Sequence, residues 1–334
     1  MKIAVDAMGS DARPVPDVLG AVEAAREYDV EILLVGPQAR IQQELDKIGN
    51  VPAGIHICNV TQEIAMNEHP ANAVREKKDS SIVVGVQQVK QGNADAYVSM
   101  GHTGANLAAA IFHLQRIKGI HRPALGALFP TPKGPSLLID VGANTDCKPE
   151  WLEQFAMMGQ VYVRAVLGLE KPRVALLANG EEDIKGNQAV QEAHALLKQR
   201  AVRNEINFVG NMEGKDVPAH LADVIVADGF VGNIALKTAE GIAKMLNELI
   251  RSEIKSNPLS MLGGALAMPA FNKVKKILDY TEYGGAPLLG VNGVVIIGHG
   301  RSNHVAVKNA IRVAKRAVET NILETIRNGV APRE

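Results

Sequence analysis

The sequence predicts an α/β protein that is built around a mostly parallel sheet. Short runs rich in Val, Ile, Leu and Ala recur along the chain. Each is followed by a glycine-bearing turn and then by a stretch with helical spacing. Such continuous apolar runs are typical of strands that are buried on both faces. The strand–helix alternation implies right-handed crossovers and places binding sites at the carboxyl ends of the strands.

The first elements are a strand over Lys2–Val5, a helix from about Pro14 to Tyr28, and a second helix that Pro37 opens. Further strands are predicted over Glu31–Val35, Ala96–Ser99, Ser136–Ile139, Arg173–Leu177 and Asp223–Ala227. Each of the last four ends where a glycine turn begins, so these turns are expected at the carboxyl ends of strands.

Two long helices are predicted in the second half of the chain. The longer begins near Val231 and runs to about Ser256, where apolar residues recur every three or four positions and Pro258 is expected to end it. A final helix is predicted from about Ser302 to Arg327. We expect residues 1–334 to form a single α/β unit with a central cleft, from which residues 258–278 protrude as an apolar and amphipathic helical segment.

Composition excludes several classes of protein. The 36 basic residues are balanced by 36 acidic ones, which argues against nucleic acid as the main partner. Cys58 and Cys147 are far apart, and the histidines are scattered without ligand spacing, so we expect a reduced, cytoplasmic protein without a metal site. Neither a signal peptide nor a run of about 18 apolar residues is found, so no membrane span is expected.

Five glycine-bearing turns are the strongest functional signal. They read GHTGA, DVGAN, NGEEDIKGN, DGFVGN and GVNGVVIIGHG, and they begin at Gly101, Asp140, Asn179, Asp228 and Gly290. Glycine allows backbone N–H groups to approach an anion, and a helix N-terminus adds the positive end of its dipole. We therefore expect these turns to line one cleft that holds a phosphate or acyl phosphate.

The GHTGA turn is the first candidate for phosphate binding. The backbone of Gly101 and Gly104 and the hydroxyl of Thr103 can surround a phosphate, while His102 can donate to one of its oxygens. The alternative is a tight turn in which Thr103 serves only as the N-cap of the next helix.

Lys185 is the leading candidate for a catalytic cation. It lies in a turn with Glu181, Glu182 and Asp183, and a lysine among carboxylates keeps its charge. It can then bind phosphate or protonate a leaving thiolate. The alternative is a solvated ion pair within the turn.

The DGFVGN and DVGAN turns supply further candidates. Asp228 is expected to orient a substrate hydrogen bond, and Asn233 can offer its amide to a carbonyl oxygen. Gly229, Gly232 and Asn144 are candidates for substrate or phosphate binding. The alternative is a helix cap at Asp228 with turn-forming glycines. Cys147 follows DVGAN without an evident base, so we predict a buried, inert thiol.

The segment from Pro258 to Phe271 carries no charged residue, and Lys273, Lys275 and Lys276 follow it. It is too short to span a bilayer and is typical of a surface anchor or a subunit contact. If it is an anchor, the residues expected to enter the membrane surface are Leu259, Leu262, Leu266 and Phe271. A plain pair of core helices is the alternative.

Taken in order with the opening DAMGSD, these motifs resemble those of the bacterial phosphate acyltransferases of phospholipid synthesis, the acyl-acyl-carrier-protein:phosphate acyltransferase family. The resemblance runs from Met1 to about Val318. The pattern differs at Ser10, at His102, where asparagine is expected, and at Asn179. It implies a three-layer α/β/α fold related to phosphotransacetylases and to the isopropylmalate-dehydrogenase group, a homodimer, and peripheral association with the cytoplasmic face of the membrane.

The resemblance also implies the reaction. A long-chain acyl group would pass from acyl-carrier protein to inorganic phosphate, without a cofactor, and a membrane acyltransferase would consume the acyl phosphate. In this reaction Asn233 would stabilise the carbonyl oxygen, and Lys185 or His102 would protonate the departing thiolate. The alternatives are a short-chain phosphotransacetylase that uses acyl-coenzyme A and a non-catalytic scaffold at the membrane surface. A related dehydrogenase is disfavoured, because no G-x-G-x-x-G follows a strand.

Overall fold

The computed structural model describes residues 1–278 and 280–330. The side chains are described for all of these residues except 276–278 and 280. Within these residues one sheet contains the strands β1 (Lys2–Asp6), β2 (Glu31–Gly36), β3 (Ile55–Asn59), β4 (Ala96–Ser99), β5 (Ala124–Phe129), β6 (Ser136–Ile139), β7 (Arg173–Leu177), β8 (Asn207–Met212), β9 (Val224–Val226), β10 (Ala286–Leu289) and β11 (Val294–Ile297). The α-helices are α1 (Val15–Tyr28), α2 (Gln38–Ile48), α3 (Pro70–Glu76), α4 (Ser81–Lys90), α5 (Thr103–Ala109), α6 (Pro149–Tyr162), α7 (Gln188–Val202), α8 (Gly229–Ile254), α9 (Pro258–Leu278), α10 (His304–Glu319) and α11 (Ile322–Val330).

The predicted three-layer α/β/α architecture is confirmed. The strand order is β3-β2-β1-β4-β11-β10-β5-β6-β9-β7-β8. Apolar side chains of α1, α2, α6, α7, α10 and α11 pack on one face of the sheet. Those of α4, α5 and the first turns of α8 pack on the other. Because both faces are covered, the central strands are apolar on both sides.

The sheet is mostly parallel, as predicted, but strand direction reverses near its middle. β10 is antiparallel to both β11 and β5, and β5 is antiparallel to β6. As a result β1, β4 and β11 run opposite to β6, β7 and β9. We call the edge at the carboxyl ends of β1, β4 and β11 the first edge. The edge at the carboxyl ends of β6, β7 and β9 is the second edge.

This reversal divides the glycine turns into two groups. The GHTGA turn and the GHG that closes the last motif follow β4 and β11 at the first edge. The turns DVGAN, NGEEDIKGN and DGFVGN follow β6, β7 and β9 at the second edge. All lie at carboxyl ends, as expected, but within one chain they do not lie at the same edge. The apolar patterns of strands do not encode direction, so the sequence did not reveal the reversal.

The helix α8 links the two edges. It begins at Gly229 on the second edge, and its residues Lys237 and Glu240 contact His299 after β11 on the first edge. Ala235, Leu236 and Ala239 pack against the sheet between these points. Beyond them α8 is followed by α9, and Gly264 of α9 lies against Ile254 at the end of α8. We call α8 beyond Ala239 together with α9 the α8–α9 pair. Most side chains of this pair are exposed.

The prediction of one final helix is wrong. The chain forms α10 and then α11, separated at Thr320 and Asn321. Asn321 adopts a left-handed conformation with φ 49°, and asparagine tolerates that region better than most residues. The hydroxyl of Thr320 bonds back to the carbonyl of Arg316 at 2.8 Å, which closes the end of α10. Continuous apolar spacing across the junction concealed the break.

Candidate functional site

Three turns meet at the first edge in close backbone contact. Asp11 donates its backbone N–H to the carbonyl oxygen of Gly300 at 2.6 Å. A Cβ at Gly9 would lie 2.7 Å from the amide nitrogen of Met100, so only glycine allows the turn after β1 to approach the turn after β4 this closely. The structure thus brings together DAMGSD, GHTGA and the end of GVNGVVIIGHG.

The N-terminus of α5 is the open feature of this edge. His102 occupies the N-cap position, which the alternative interpretation gave to Thr103, and its side chain does not cap the helix. The amides of Thr103, Gly104 and Ala105 donate to no residue that the structure describes, and the first helical bond joins Asn106 N to His102 O at 3.0 Å. Free N–H groups at the positive end of a helix dipole favour an anion.

Two other residues of the GHTGA turn are already engaged. Gly101 donates its N–H to the hydroxyl of Ser99 at 3.0 Å, so this amide is not free for a ligand. Nε2 of His102 lies 3.1 Å from the carbonyl oxygen of Glu68. Because a carbonyl can only accept, Nε2 must carry the proton in this contact. The predicted donation from His102 to phosphate therefore requires the ring to leave Glu68 or to be protonated at Nδ1 as well.

A cluster of charges joins α8 to the first edge. The carboxylate of Glu240 lies 3.1 Å from Lys237, 3.4 Å from His299 and 2.7 Å from Arg301. Burial opposes ionisation of Glu240, but hydrogen bonds from His299 and Lys237 and their charges lower its pKa to about 2. An ionised Glu240 therefore holds the cations of Lys237 and Arg301 beside the turn that precedes α10. The sequence analysis did not identify this cluster, because its members are separated by about 60 positions.

At the second edge the DVGAN turn is folded around its own carboxylate. Asp140 accepts the backbone N–H groups of Gly142, Ala143 and Asn144 at 2.8 to 3.2 Å. Nδ2 of Asn144 donates both to Asp140 at 2.9 Å and to the carbonyl of Pro123 at 2.8 Å. The donors that would attract a phosphate to this turn are thus used internally. Asn144, a candidate for phosphate binding, retains only its side-chain oxygen.

Asp228 caps α8 at the same edge. Its Oδ1 accepts from the amides of Phe230 and Val231 at 2.9 and 2.8 Å, while the amide of Gly229 donates to the carbonyl of Asn144 at 2.6 Å. The N-terminus of α8 is therefore satisfied within the protein, unlike that of α5. The structure gives Asp228 the capping role that the sequence offered as the alternative.

The glycines Gly229 and Gly232 allow the DGFVGN and DVGAN turns to touch. A Cβ at Gly232 would overlap the carbonyl oxygen of Asp140, and one at Gly229 would lie 2.7 Å from the carbonyl oxygen of Asn144. At the start of the second turn of α8, the side chain of Asn233 is exposed and bonds to no residue that the structure describes. Its amide is free to meet a ligand.

Lys185 lies in the turn after β7, the strand beside β9. It is half-buried, and its aliphatic stem passes close to Gly180. Two of the three carboxylates of its turn are paired with lysines outside the turn: Asp183 with Lys198 at 2.7 Å and Glu181 with Lys215 at 3.7 Å. Among the described residues the ammonium of Lys185 has no ion pair, so the solvated pair expected as the alternative does not form.

Three carboxylates lie close together near this turn. The oxygens of Glu181, Glu213 and Asp216 are within 4.8 Å of one another. The ammonium of Lys215 forms ion pairs with Glu213 and with Glu181. A lysine thus occupies the position at which a cation would be attracted. The sequence analysis predicted no metal site, and this cluster does not change that prediction.

Comparison with known proteins defines the family. A family model described as "Fatty acid synthesis protein" matches residues 1–325. The chain belongs to this family. A phosphate acyltransferase of Desulfitobacterium hafniense is 50% identical over 328 residues, which cover 98% of this chain and 97% of the relative. A phosphate acyltransferase of Dictyoglomus turgidum is 49% identical over 331 residues, covering 99% and 98%. The family resemblance predicted from the motifs is confirmed, and the protein is an acyltransferase.

Solved structures confirm the predicted fold relationship. A phosphotransacetylase from Streptococcus pyogenes superposes with a TM-score of 0.64 at 19% identity, covering 96% of this chain and 94% of that one. A phosphotransacetylase from Staphylococcus aureus gives 0.62 at 18% identity, covering 95% and 94%. A 4-hydroxythreonine-4-phosphate dehydrogenase from Salmonella typhimurium gives 0.52 at 14% identity, covering 96% and 99%. At these identities the likeness concerns the fold alone.

We expect Cys147 of this acyltransferase to be chemically inert. Its thiol is buried and donates to the carbonyl of Asn144 at 3.5 Å. Burial, with the charges of Asp140 and Asp228 adding to it, raises the pKa of Cys147 to about 12. The thiol therefore stays protonated at neutral pH, and Cys147→Ser should retain most of the activity because serine also donates. Intact-mass measurement after mixing with an acyl donor should show no acyl adduct. An acyl group trapped on Cys147 would contradict this.

Proposed function

We propose that the protein transfers a long-chain acyl group from acyl-carrier protein to inorganic phosphate. The observation that carries the proposal is the uncapped N-terminus of α5, where the amides of Thr103 and Gly104 and the exposed hydroxyl of Thr103 are available to an anion. Phosphate fits this position, because amide donors and a helix dipole bind oxyanions without a metal. Full-length relatives named phosphate acyltransferase support the same substrate.

The reaction requires the protein to position phosphate against the thioester more than to activate it as a nucleophile. A phosphate oxygen attacks the thioester carbonyl, the C–O bond forms, and the C–S bond then breaks. Hydrogen phosphate loses one proton when it forms the acyl phosphate, and the departing thiolate gains one proton. No other reactant is therefore consumed. We assign the transfer of that proton to the ammonium of Lys185 and the stabilisation of the carbonyl oxygen to the amide of Asn233.

The decisive experiment compares acyl donors. The purified protein is incubated with phosphate and with palmitoyl-carrier protein, palmitoyl-coenzyme A or acetyl-coenzyme A. Release of free thiol and formation of acyl phosphate are then followed. We expect palmitoyl-carrier protein to give the highest kcat/KM. A preference for acetyl-coenzyme A would instead establish a short-chain phosphotransacetylase, and no turnover with any donor would favour a scaffold.

We also propose that the enzyme is a homodimer that attaches peripherally to a membrane. Past its first turns, α8 exposes an apolar stripe that includes Ile242, Met245, Leu246 and Leu249, and water-exposed stripes of this size favour a second copy of the chain. No helix among the described residues is both long and apolar enough to cross a bilayer. Attachment would therefore occur at the membrane surface, where the acyl phosphate can pass to a membrane acyltransferase.

The helix α9 has the surface that such attachment needs. Leu259, Leu266 and Leu262 are 79%, 78% and 61% exposed, and Phe271 further along the helix is 37% exposed. Lys273 and Lys275 are exposed on the following turn, while the side chains of Lys276 and Leu278 lie outside the described ones. Apolar side chains can enter the headgroup boundary while the lysines meet anionic lipid, and two copies in a dimer would increase retention.

We predict that Leu262→Glu together with Leu266→Glu releases the protein from anionic liposomes in a flotation assay. Acyl transfer in solution should be retained. The matched control is Val202→Glu with Leu221→Glu, which places the same charges on exposed apolar positions away from α9 and should float as the wild type does. Dissociation of the dimer in place of release would identify α9 as a subunit contact.

A further inference from the structure

A buried hydrogen-bond network lies directly behind the proposed phosphate site. It contains Asp6 at the end of β1, Tyr97 and Ser99 in β4, and Asn106 in α5, and each is at most 1% exposed. None of these four side chains was predicted to belong to the site, although Asp6 opens the DAMGSD motif. Buried polar side chains of this kind are costly unless they are fully paired, so their arrangement requires an explanation.

The hydroxyl of Ser99 is saturated. It donates to Asp6 at 2.7 Å, and it accepts from the amide of Gly101 at 3.0 Å and from Nδ2 of Asn106 at 3.2 Å. A hydroxyl has one hydrogen and two lone pairs, so no further partner is possible. Asp6 also accepts the amide of Met8 at 3.0 Å. The network therefore links the DAMGSD turn to the GHTGA turn through buried side chains.

The orientation of the Asn106 amide is determined by its neighbours. Its Nδ2 lies 3.2 Å from the carbonyl oxygen of His102, which can only accept, so the NH₂ end must face His102 and Ser99. Its Oδ1 accepts from the hydroxyl of Tyr97 at 3.0 Å. Both hydrogens and the oxygen of this amide are thus used.

The bond from Asn106 to His102 has a consequence for the ligand site. The carbonyl of His102 and the N–H of Thr103 belong to one planar trans peptide, so they point in opposite directions. The carbonyl accepts both the backbone N–H of Asn106 at 3.0 Å and its side-chain Nδ2 at 3.2 Å, so the side chain adds a second bond that holds the Thr103 N–H pointing outward from the N-terminus of α5. That N–H is one of the donors available to an anion.

We propose that Asn106 is a positioning residue for phosphate, and that Ser99 and Asp6 hold it in place. Asn106 does not touch the ligand. It acts by orienting the His102–Thr103 peptide, and this inference rests on the phosphate site proposed at α5. Its loss should weaken phosphate binding while the acyl-transfer step itself is little changed once phosphate is saturating.

The test is Asn106→Leu, with Tyr97→Phe as the matched control. Both variants lose the bond between Tyr97 and Asn106, and both keep the backbone bond from residue 106 to His102. Only Asn106→Leu loses the two Nδ2 donations. We expect Asn106→Leu to raise the phosphate KM, and the phosphate Kd from calorimetry, by about tenfold, with less than about a threefold change in kcat or in KM for the acyl donor. Tyr97→Phe should leave the phosphate KM within about twofold.

Equal effects of the two variants, or a loss of kcat without a change in phosphate KM, would show that Asn106 is only a structural residue. If Asn106→Leu does not fold, Ser99→Ala serves instead, and it should raise the phosphate KM by at least about threefold. An unchanged KM in that variant overturns the inference. Failure of the proposed function would look different, because the wild-type protein itself would then show no saturable binding of phosphate.

Discussion

Replacing Lys185 by alanine is expected to lower kcat by about 10²-fold or more, the range typical of a lost general acid. Lys185 is half-buried in the turn after β7, and the carboxylates Glu181 and Asp183 of its turn are paired with other cations. Its ammonium is therefore available to substrate. The measurement is steady-state turnover with palmitoyl-carrier protein at saturating phosphate, together with a thermal melt to verify the fold.

Lys198→Ala is the matched control for this variant. Lys198 is an exposed lysine that pairs with Asp183 of the same turn at 2.7 Å. Its removal changes the net charge by the same amount and loosens the turn, but it should leave kcat within about threefold. If Lys185→Ala keeps nearly full activity, or if both variants lose kcat equally, Lys185 has no catalytic role and is an ordinary surface residue.

The position of Lys185 raises a question that the same variant can answer. Lys185 and Asn233 lie at the second edge and the GHTGA turn at the first, whereas the reaction brings phosphate, Lys185 and Asn233 to one carbonyl carbon. The site is therefore built either from two copies of the chain or from one chain whose two edges approach each other on binding substrate. Mixing Lys185→Ala subunits with Gly104→Val subunits distinguishes these arrangements. Recovery of activity in the mixed dimers would show that the two groups come from different chains, whereas continued inactivity would place them in one chain.

Gly232→Ala is expected to destabilise the protein by about 3 kcal/mol, at the upper end of the cost of overpacking. A Cβ at this position would overlap the carbonyl oxygen of Asp140, and this is a backbone atom that cannot move aside as a flexible side chain would. Either the start of α8 or the DVGAN turn must shift. The measurement is unfolding in denaturant, followed by circular dichroism.

Gly241→Ala is the control on the same helix. A Cβ at Gly241 meets no atom within 4 Å, and alanine has the higher helix propensity, so this variant should gain about 0.5 to 1 kcal/mol. Both substitutions replace glycine by alanine, but the changes that they cause in the free energy of unfolding should have opposite signs. Destabilisation by Gly241→Ala equal to that of Gly232→Ala would show that the backbone contact at Asp140 is not what requires glycine.

Local patterns predicted much of the fold correctly. The strand over Ala96–Ser99 and the strands over Ser136–Ile139 and Arg173–Leu177 have the predicted bounds. The helix predicted from Val231 to Ser256 is α8 at Gly229–Ile254. Pro135 and Pro172 precede two of these strands, Gly101 closely follows the third, and Pro258 follows the helix. Near neighbours in the chain therefore decide these elements.

The same local patterns predicted only part of the candidate site. The motifs identified GHTGA, and the structure adds that its amides are free because no side chain caps α5. In DVGAN and DGFVGN the carboxylates of Asp140 and Asp228 occupy the amides of their own turns. Glycine, aspartate and asparagine at a strand end do not reveal whether the aspartate accepts hydrogen bonds from the amides of its own turn or leaves those amides free for a ligand.

The sequence by itself determined the α/β class, the carboxyl-end position of the glycine turns, the family and the apolar surface of α9, since these depend on residue spacing and on the order of motifs. Only the tertiary structure decided the direction of β10, β5 and β6, and therefore the division of the turns between two edges. It also decided that Lys185 has no ion pair among the described residues and that Asn106 lies behind the GHTGA turn. Strand direction and side-chain pairing depend on contacts between residues far apart in the chain, and periodicity carries no information about such contacts.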